Sequence, residues 1–470
     1  MNTTKYSWQN PIPPLALMVG TVSATLLLAS PTWGQTPSIP KTASDNQYVS
    51  SELENLIVPQ AVWDRTLPIQ SWRPIQFSGP IQNLGVENIE LDKQHNYFIG
   101  NTNGMLAQYR EFDEEFDDGP KFSVNPVIGS SSLKGLYGGL NFRVLNLGNN
   151  NHILDFGFEG GTRTLGGYAS LTDPWGDGDP LDSGYTARFF ISRSPEANFF
   201  NGDPEVELIH DHAAWVHRIG GSFEFFKPVN ENGLVIGVGG GYQQVSIRNA
   251  AITDSIFTRD QFGNRVTVSD DGKDDLLTLN LSAFQDRRND PFWPTTGYRF
   301  GVGTEQSIPV GDSNLSFNRL RATYSKFMPI ANTQTVVFNI QGGTIIGDAA
   351  PYEAFSIGGT NSVRGYSDGE VGTGRSFVQA SLEYRFPIVS DLELPLLSRL
   401  GGTVFADYGT DLRSGDTVRG EPGEVRNKSG SGAGFGVGLR ALSDFGPLRL
   451  EFALSDQGDA QIHFALGERF

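Results

Sequence analysis

Beyond Phe122 the chain breaks into short segments in which apolar side chains alternate with polar or small ones. Clusters of Gly, Asn and Asp divide one segment from the next. Side chains that recur every second residue lie on one face of a strand, so this period predicts strands rather than helices. In Tyr185 to Arg193, Tyr185, Ala187, Phe189 and Ile191 fall on one face, and Thr186, Arg188 and Ser192 on the other. Trp215 to Phe225 sets Ile219, Phe223 and Phe225 opposite Arg218, Ser222 and Glu224. Phe377 to Phe386 sets Val378, Ala380, Leu382, Tyr384 and Phe386 opposite Gln379, Ser381, Glu383 and Arg385. Full charges on the polar face suit a water-filled lumen. Gly430, Gly432, Gly434, Gly436 and Gly438 alternate with Ala433, Phe435, Val437 and Leu439. A phosphate-cradling loop would have to open a helix after its glycines, whereas here the alternation continues as a strand.

Alternating segments occupy 121–130, 134–145, 152–161, 164–172, 184–194, 213–227, 234–248, 275–287, 297–306, 315–327, 334–347, 376–388, 399–408, 431–442, 446–455 and 460–470, sixteen in all. An even count of such strands is what bacterial outer-membrane barrels carry. A sheet facing lipid finds no water for its edges and must close on itself. Secreted sandwiches also alternate, so the period alone leaves both architectures open. In the last segment Ile462, Phe464, Leu466 and Phe470 share a face, the arrangement expected of a strand whose final aromatic lies in the interfacial girdle.

Upstream the pattern changes. Lys5, an apolar run from Leu15 to Ala29, and small residues at Thr32 and Gly34 follow the order of a secretory signal peptide over 1–34. The run is shorter than the roughly 20 residues a helix needs to span a bilayer. Residues 35–120 are Pro-studded (Pro37, Pro40, Pro59, Pro68, Pro74, Pro80) and polar, with one short helical candidate, Ser51 to Ile57, and read as an extended, irregular periplasmic leader. After residue 34 no apolar run is long enough for a membrane helix. Composition agrees: Gly 57, Pro 26 and Phe 32 favour strands and turns. A net charge of −18 repels phosphate backbones and argues against nucleic acid as a partner, and the absence of Cys removes disulfides, thiolate metal sites and cysteine nucleophiles. The expected fold class is all-β, a 16-stranded antiparallel transmembrane outer-membrane β-barrel over 121–470 preceded by that irregular N-terminal leader.

The longest interruption between late segments runs from Gly347 to Gly374 and holds Gly358-Gly359-Thr360-Asn361-Ser362-Val363-Arg364-Gly365-Tyr366. Here the sequence resembles the BamA/TamA superfamily of outer-membrane assembly and translocation barrels, also called bacterial surface antigen barrels, which carry a G-G-x-x-x-V-R-G-F/Y loop between the eleventh and twelfth strands. The turn containing Asp286, Arg287, Pro294, Thr295 and Gly297 is similar to the one before the ninth strand in that family, and Gly446-Pro447-Leu448 to the opening of its penultimate strand. The resemblance spans about 121–470. It implies that the loop folds back into the lumen, that Val363, Arg364, Gly365 and Tyr366 form a latch, and that Arg364 meets Glu383 and Asp407 on the inner wall. Without the resemblance, Arg364 would read as a solvated loop charge. Family members carry periplasmic domains that capture clients by strand pairing, and residues 35–120 show no such helix-rich pattern.

Other residues carry less. His210, His212 and His217 are of metal-ligating type, but their spacing reads first as a turn entering a strand. Asp173, Asp177, Asp179 and Asp182 are punctuated by prolines and glycines, as an external turn would be. No catalytic constellation stands out, so neither enzyme activity nor a metal or other cofactor is expected. The expected function is insertion, assembly or translocation of polypeptides at the outer membrane, the partners being outer-membrane lipid, client outer-membrane or secreted polypeptides, and separate periplasmic proteins. The alternative is a porin-like channel or surface antigen that keeps the family barrel without insertase activity.

Overall fold

The computed structural model describes residues 121–470, apart from 149–151, 176–182, 203–206, 209–212, 230–232, 332, 393, 395–396, 416–418, 420–426 and 444–445. The signal peptide (1–34), the leader (35–120), His210, His212, Asp177, Asp179 and Asp182 lie outside the described residues. Sixteen long strands follow in order: β1 (Lys121–Ser131), β2 (Gly135–Leu147), β3 (His152–Gly161), β4 (Leu165–Pro174), β5 (Gly184–Pro195), β6 (Trp215–Pro228), β7 (Leu234–Arg248), β8 (Lys273–Asp286), β9 (Gly297–Ile308), β10 (Ser316–Ala331), β11 (Gln334–Asp348), β12 (Ser376–Val389), β13 (Leu397–Thr410), β14 (Ser431–Ser443), β15 (Gly446–Ser455) and β16 (Ala460–Leu466). Each pairs antiparallel with its sequence neighbours, and β16 returns to β1, so the sheet closes. Among the described residues no helix is long and apolar enough to cross a membrane.

The two faces are inverted relative to a water-soluble protein. On β12, Gln379, Ser381, Glu383 and Arg385 are buried while Leu382 is 52% exposed. On β14, Phe435, Val437 and Leu439 are exposed, as are Phe189 on β5 and Phe223 and Phe225 on β6. A contiguous apolar exterior of this kind is incompatible with water and requires the hydrocarbon of a bilayer, which also excludes the sandwich, whose apolar face would be inside. The four longest connections, 196–214, 249–272, 349–375 and 411–430, each join an odd strand to an even one and therefore share one end of the barrel.

Closure is uneven. β1 and β2 stay in register from Lys121↔Leu145 to Ser131↔Gly135, whereas β1 and β16 are joined at one register pair, Gly129↔Ala465. Pro126 within β1 has no N–H to give, and such a residue is tolerated only where a ladder is incomplete. β16 is also the shortest of the sixteen, at 7 residues.

The end of the chain departs from the expected pattern. Ile462 is 71% exposed and faces outward, with Phe464 and Leu466 half-buried, but Phe470 is buried against Phe327 and Val337 and is no part of an interfacial girdle. The strand stops at Leu466, and Gly467, at φ +118°, turns the chain inward. Glu468 then pairs with Arg385 at 2.8 Å and with Arg440, and Arg469 pairs with Asp407 at 3.1 Å, so ion pairs inside the lumen outweigh the placement of one aromatic at the lipid.

Val437, at the middle of β14 on the lipid face, tests the inversion. Val437→Arg is expected to cost about 2 to 4 kcal/mol if it lies at the bilayer midplane, read as a lower denaturant midpoint for loss of the fast-migrating unboiled band on gels. An unchanged midpoint would place this face away from lipid.

Candidate functional site: a loop folded into the lumen

Residues 349–375, between β11 and β12, enter the barrel instead of standing above it. The connection begins with a single turn at Pro351–Glu353 and continues as Phe355–Ile357, which pairs antiparallel with Gly372–Gly374. This longest interruption therefore contains a short hairpin stem, and residues 358–371 form its tip. Tyr352, Phe355, Ile357, Val363, Tyr366 and Val371 are fully buried within one apolar cluster filling this part of the lumen.

Arg364 is completely buried. Its Nε donates to Asp407 Oδ2 at 2.7 Å and its Nη2 to Asp407 Oδ1 at 2.9 Å, a bidentate pair, while its backbone N donates to Asp407 Oδ2 at 3.1 Å. Nη1 lies 2.8 Å from Glu451 Oε1 and 2.9 Å from Glu383 Oε1. The guanidinium sits over the Phe405 ring, 3.3 Å from its centroid. Burial alone would lower the pKa of Arg364, but Asp407, Glu451 and Glu383 outweigh it and hold the value above the ordinary one, so the side chain stays charged. A planar fork can serve three acids and a ring face at once, which a point charge cannot.

The structure thus brings Arg364 to both Glu383 and Asp407 and adds two residues the sequence reading did not single out. Glu451 shares Arg364, and Arg469 reaches Asp407 at 3.1 Å, Glu383 at 3.4 Å and the Ser362 carbonyl at 2.5 Å. Glu451 sits opposite the outward Leu450 and Phe452 in the two-residue period of β15, so its inward direction was legible although its partner was not. Room for the tip comes from β14: a Cβ at Gly434 would lie 1.7 Å from the Arg364 carbonyl oxygen. Gly365 has φ +95° and packs on the Leu454–Ser455 backbone, where a side chain would be excluded twice over.

The base of the loop is held by the reverse polarity. Glu353, fully buried, accepts from Arg218 Nη1 of β6 at 2.7 Å and from Arg319 of β10. These cations outweigh the effect of burial and keep its carboxyl below the ordinary range. Tyr352 donates to Asp274 Oδ2 of β8 at 2.7 Å. One loop therefore carries an arginine to a group of inward carboxylates and a glutamate to a pair of inward arginines.

The turn between β8 and β9 has a structural role. Asp286 is gripped by Arg288, with Nε to Oδ1 at 2.9 Å and Nη2 to Oδ2 at 2.6 Å, and Arg288 Nη1 donates to the Phe470 carbonyl at 2.9 Å. Thr295 N donates to Asn289 Oδ1 at 2.9 Å, next to Pro294, and Gly297 takes φ +101° where a Cβ would meet the Arg287 carbonyl at 1.9 Å. His217 hydrogen-bonds to the Ala250 carbonyl at 2.8 Å, and among the described residues no His, Cys, Asp and Glu cluster is arranged to hold a metal.

Breaking a fully buried ion pair costs about 3 to 5 kcal/mol. Because Arg469 remains beside Asp407 and Glu383, and the Glu353 anchor and apolar stem persist, Arg364→Ala is expected to release the tip without unfolding the barrel. Arg364→Lys should restore the contact only in part. The probe is a Val363→Cys, Gly409→Cys pair, since a Cβ at Gly409 lies 2.8 Å from Val363 Cγ2 and the chain has no native cysteine. Disulfide yield should drop sharply in Arg364→Ala; equal yields would show that the charges do not hold the tip.

An Omp85 superfamily domain matches residues 146–470. Outer envelope protein 80, chloroplastic, of Arabidopsis thaliana is 33% identical over 351 residues, which cover 74% of this chain and 44% of that protein. Protein TOC75, chloroplastic, of Pisum sativum is 30% identical over 221 residues, covering 44% of this chain and 25% of its own. The chain therefore spans less than half the length of either of these relatives. Among solved structures, BamA from Haemophilus ducreyi lacking POTRA domains 1–3 superposes with a TM-score of 0.55 over 74% of this chain and 70% of that one, at 17% identity, a likeness of fold. With its closed sixteen-stranded barrel and inverted faces, the chain belongs to the Omp85 superfamily and is an outer-membrane β-barrel protein.

Proposed function

We propose that this barrel inserts or translocates polypeptides at the outer membrane, and that the seam between β1 and β16 is where a client strand engages. The observation that carries this reading is the contrast between a lumen filled by an ion-paired loop and a seam joined at a single register pair. A path through the lumen is obstructed by buried side chains held on two walls. A path through the wall needs only the weakest ladder in the sheet to part, and an unpaired strand edge is the surface on which another polypeptide adds a strand. The work is non-enzymatic: hydrogen bonds of the client are exchanged for those of the seam, and no bond is made or broken covalently. Membership of the superfamily supports a role with client polypeptides and with separate periplasmic partners that deliver them.

A porin-like channel would need an open lumen, so the two readings separate in one preparation. Depleting the protein from cells should reduce the amount of heat-modifiable β-barrel protein in the outer membrane, while liposomes carrying the purified full chain should remain tight to small ions. An unchanged inventory of folded outer-membrane proteins, together with steady ion conductance of the liposomes, would overturn the insertase reading in favour of the channel.

A further inference from the structure

The loop tip touches both sides of the seam. Tyr366 donates through its hydroxyl to Asp456 in the turn between β15 and β16, where Asp456 also accepts from Ala433 N at 3.0 Å. Gln461 of β16 donates to Ser367 Oγ at 3.3 Å. His463, buried on β16, bonds Thr360 Oγ1 through Nδ1 at 2.9 Å and accepts from Gly365 N through Nε2 at 3.3 Å. The next residue reaches the other side. Asp368 Oδ2 accepts from Ser132 Oγ at 3.0 Å and Leu133 N at 3.1 Å, and Asp368 N donates to Ser132 Oγ at 2.8 Å, all in the turn between β1 and β2. Tyr366, Ser367 and Asp368 are consecutive, so three neighbouring residues bridge the hairpin that ends the sheet and the hairpin that begins it.

We infer that residues 366–368 are a clasp that holds the β1–β16 seam shut from inside the lumen, with Asp368 as its catch on the first hairpin. The seam's own ladder is joined at Gly129↔Ala465, and Gly129 itself has no room for a side chain, since a Cβ there would meet the Tyr137 hydroxyl at 2.0 Å. Closure between the two hairpins is thus supplied largely by side-chain bonds through the loop. The catch is well built for release: the Asp368 carboxyl is held by the Ser131 and Ser132 hydroxyls and a backbone N–H, and the nearby Lys134 cation is engaged by Glu159 at 3.0 Å, whereas Arg364 four residues earlier is locked by direct ion pairs of its own. Losing the catch frees the first hairpin while the tip remains docked on β12, β13 and β15. The clasp builds on the seam being the moving part, but its test reads the seam directly and makes no use of client handling, so either idea can fail alone.

The test is amide hydrogen exchange of the full chain in lipid nanodiscs. Asp368→Ala should speed exchange of residues 124–131 and 460–466 by about tenfold while leaving β6, β7, β10 and β11 at their original rates. Asp368→Asn, which keeps an oxygen acceptor, should fall close to the parent. A Ser132→Cys, Asp368→Cys protein replaces the catch by a disulfide, so oxidised protein should show slow seam exchange and the same sample, once reduced, fast exchange. Unchanged seam exchange in Asp368→Ala with no difference between oxidised and reduced forms would overturn the clasp. So would acceleration spread evenly over all strands, since that reports a weakened fold rather than a released seam.

Discussion

The constraint on which this structure depends is that hydrocarbon offers no hydrogen bonds to a strand edge. It forces the sheet to close and sends every second side chain outward as apolar surface. The polar remainder is left to line an interior that water alone would otherwise fill. The seam meets the same constraint only minimally. Fifteen neighbouring pairs run in extended register, while the sixteenth rests on Gly129↔Ala465. A barrel with one deficient ladder must obtain closure elsewhere, and the loop between β11 and β12 is placed to supply it.

That loop is fixed by charge rather than by shape alone. Burying a guanidinium is costly unless each face of its fork finds an acceptor. Arg364 meets that requirement with Asp407, Glu383 and Glu451, and Arg469 enters from the chain end to share the same acids. Glu353 repeats the arrangement with signs exchanged on Arg218 and Arg319. Opposite signs at the two ends discriminate against a reversed docking of the loop, because turning it round would bring Arg364 to Arg218 and Arg319 and bring Glu353 to Asp407, Glu383 and Glu451.

Much of this was legible before any coordinates. All sixteen strands follow from the two-residue period because lipid enforces that period along each segment, and the inward faces of Glu383 and Asp407 follow from parity. The pairing of Arg364 with those acids came from the family resemblance, since parity states a direction and never a partner. Where the reading fell short, the missing information was long-range. Arg288, which grips Asp286 and also donates to the Phe470 carbonyl, was not singled out, because its second partner lies 182 residues away in sequence. Phe470 looked lipid-facing because parity was extended past Leu466, where Gly467 breaks the strand and Glu468 and Arg469 draw the chain inward. Glu353 sits in a stretch without period, so nothing local distinguished it from a solvated loop acid.

The two anchors differ in where they bear on the barrel, and that difference has a mechanical consequence. The base of the loop is tied to β6, β8 and β10, the wall remote in sequence order from the seam, whereas the tip is tied to β12, β13, β15, β16 and the turn after β1. In the seam opening proposed above, bonds on the far wall and those of Arg364 on β12, β13 and β15 are unaffected, so they hold the loop in the lumen while Asp368 lets go of the first hairpin. A closed and an open seam can then be two discrete arrangements of one tethered element instead of a continuous loosening of the sheet. On that proposal the free-energy gap between them rests on the hydrogen bonds at residues 366–368 together with the single Gly129↔Ala465 pairing, while the other fifteen ladders stay intact in both.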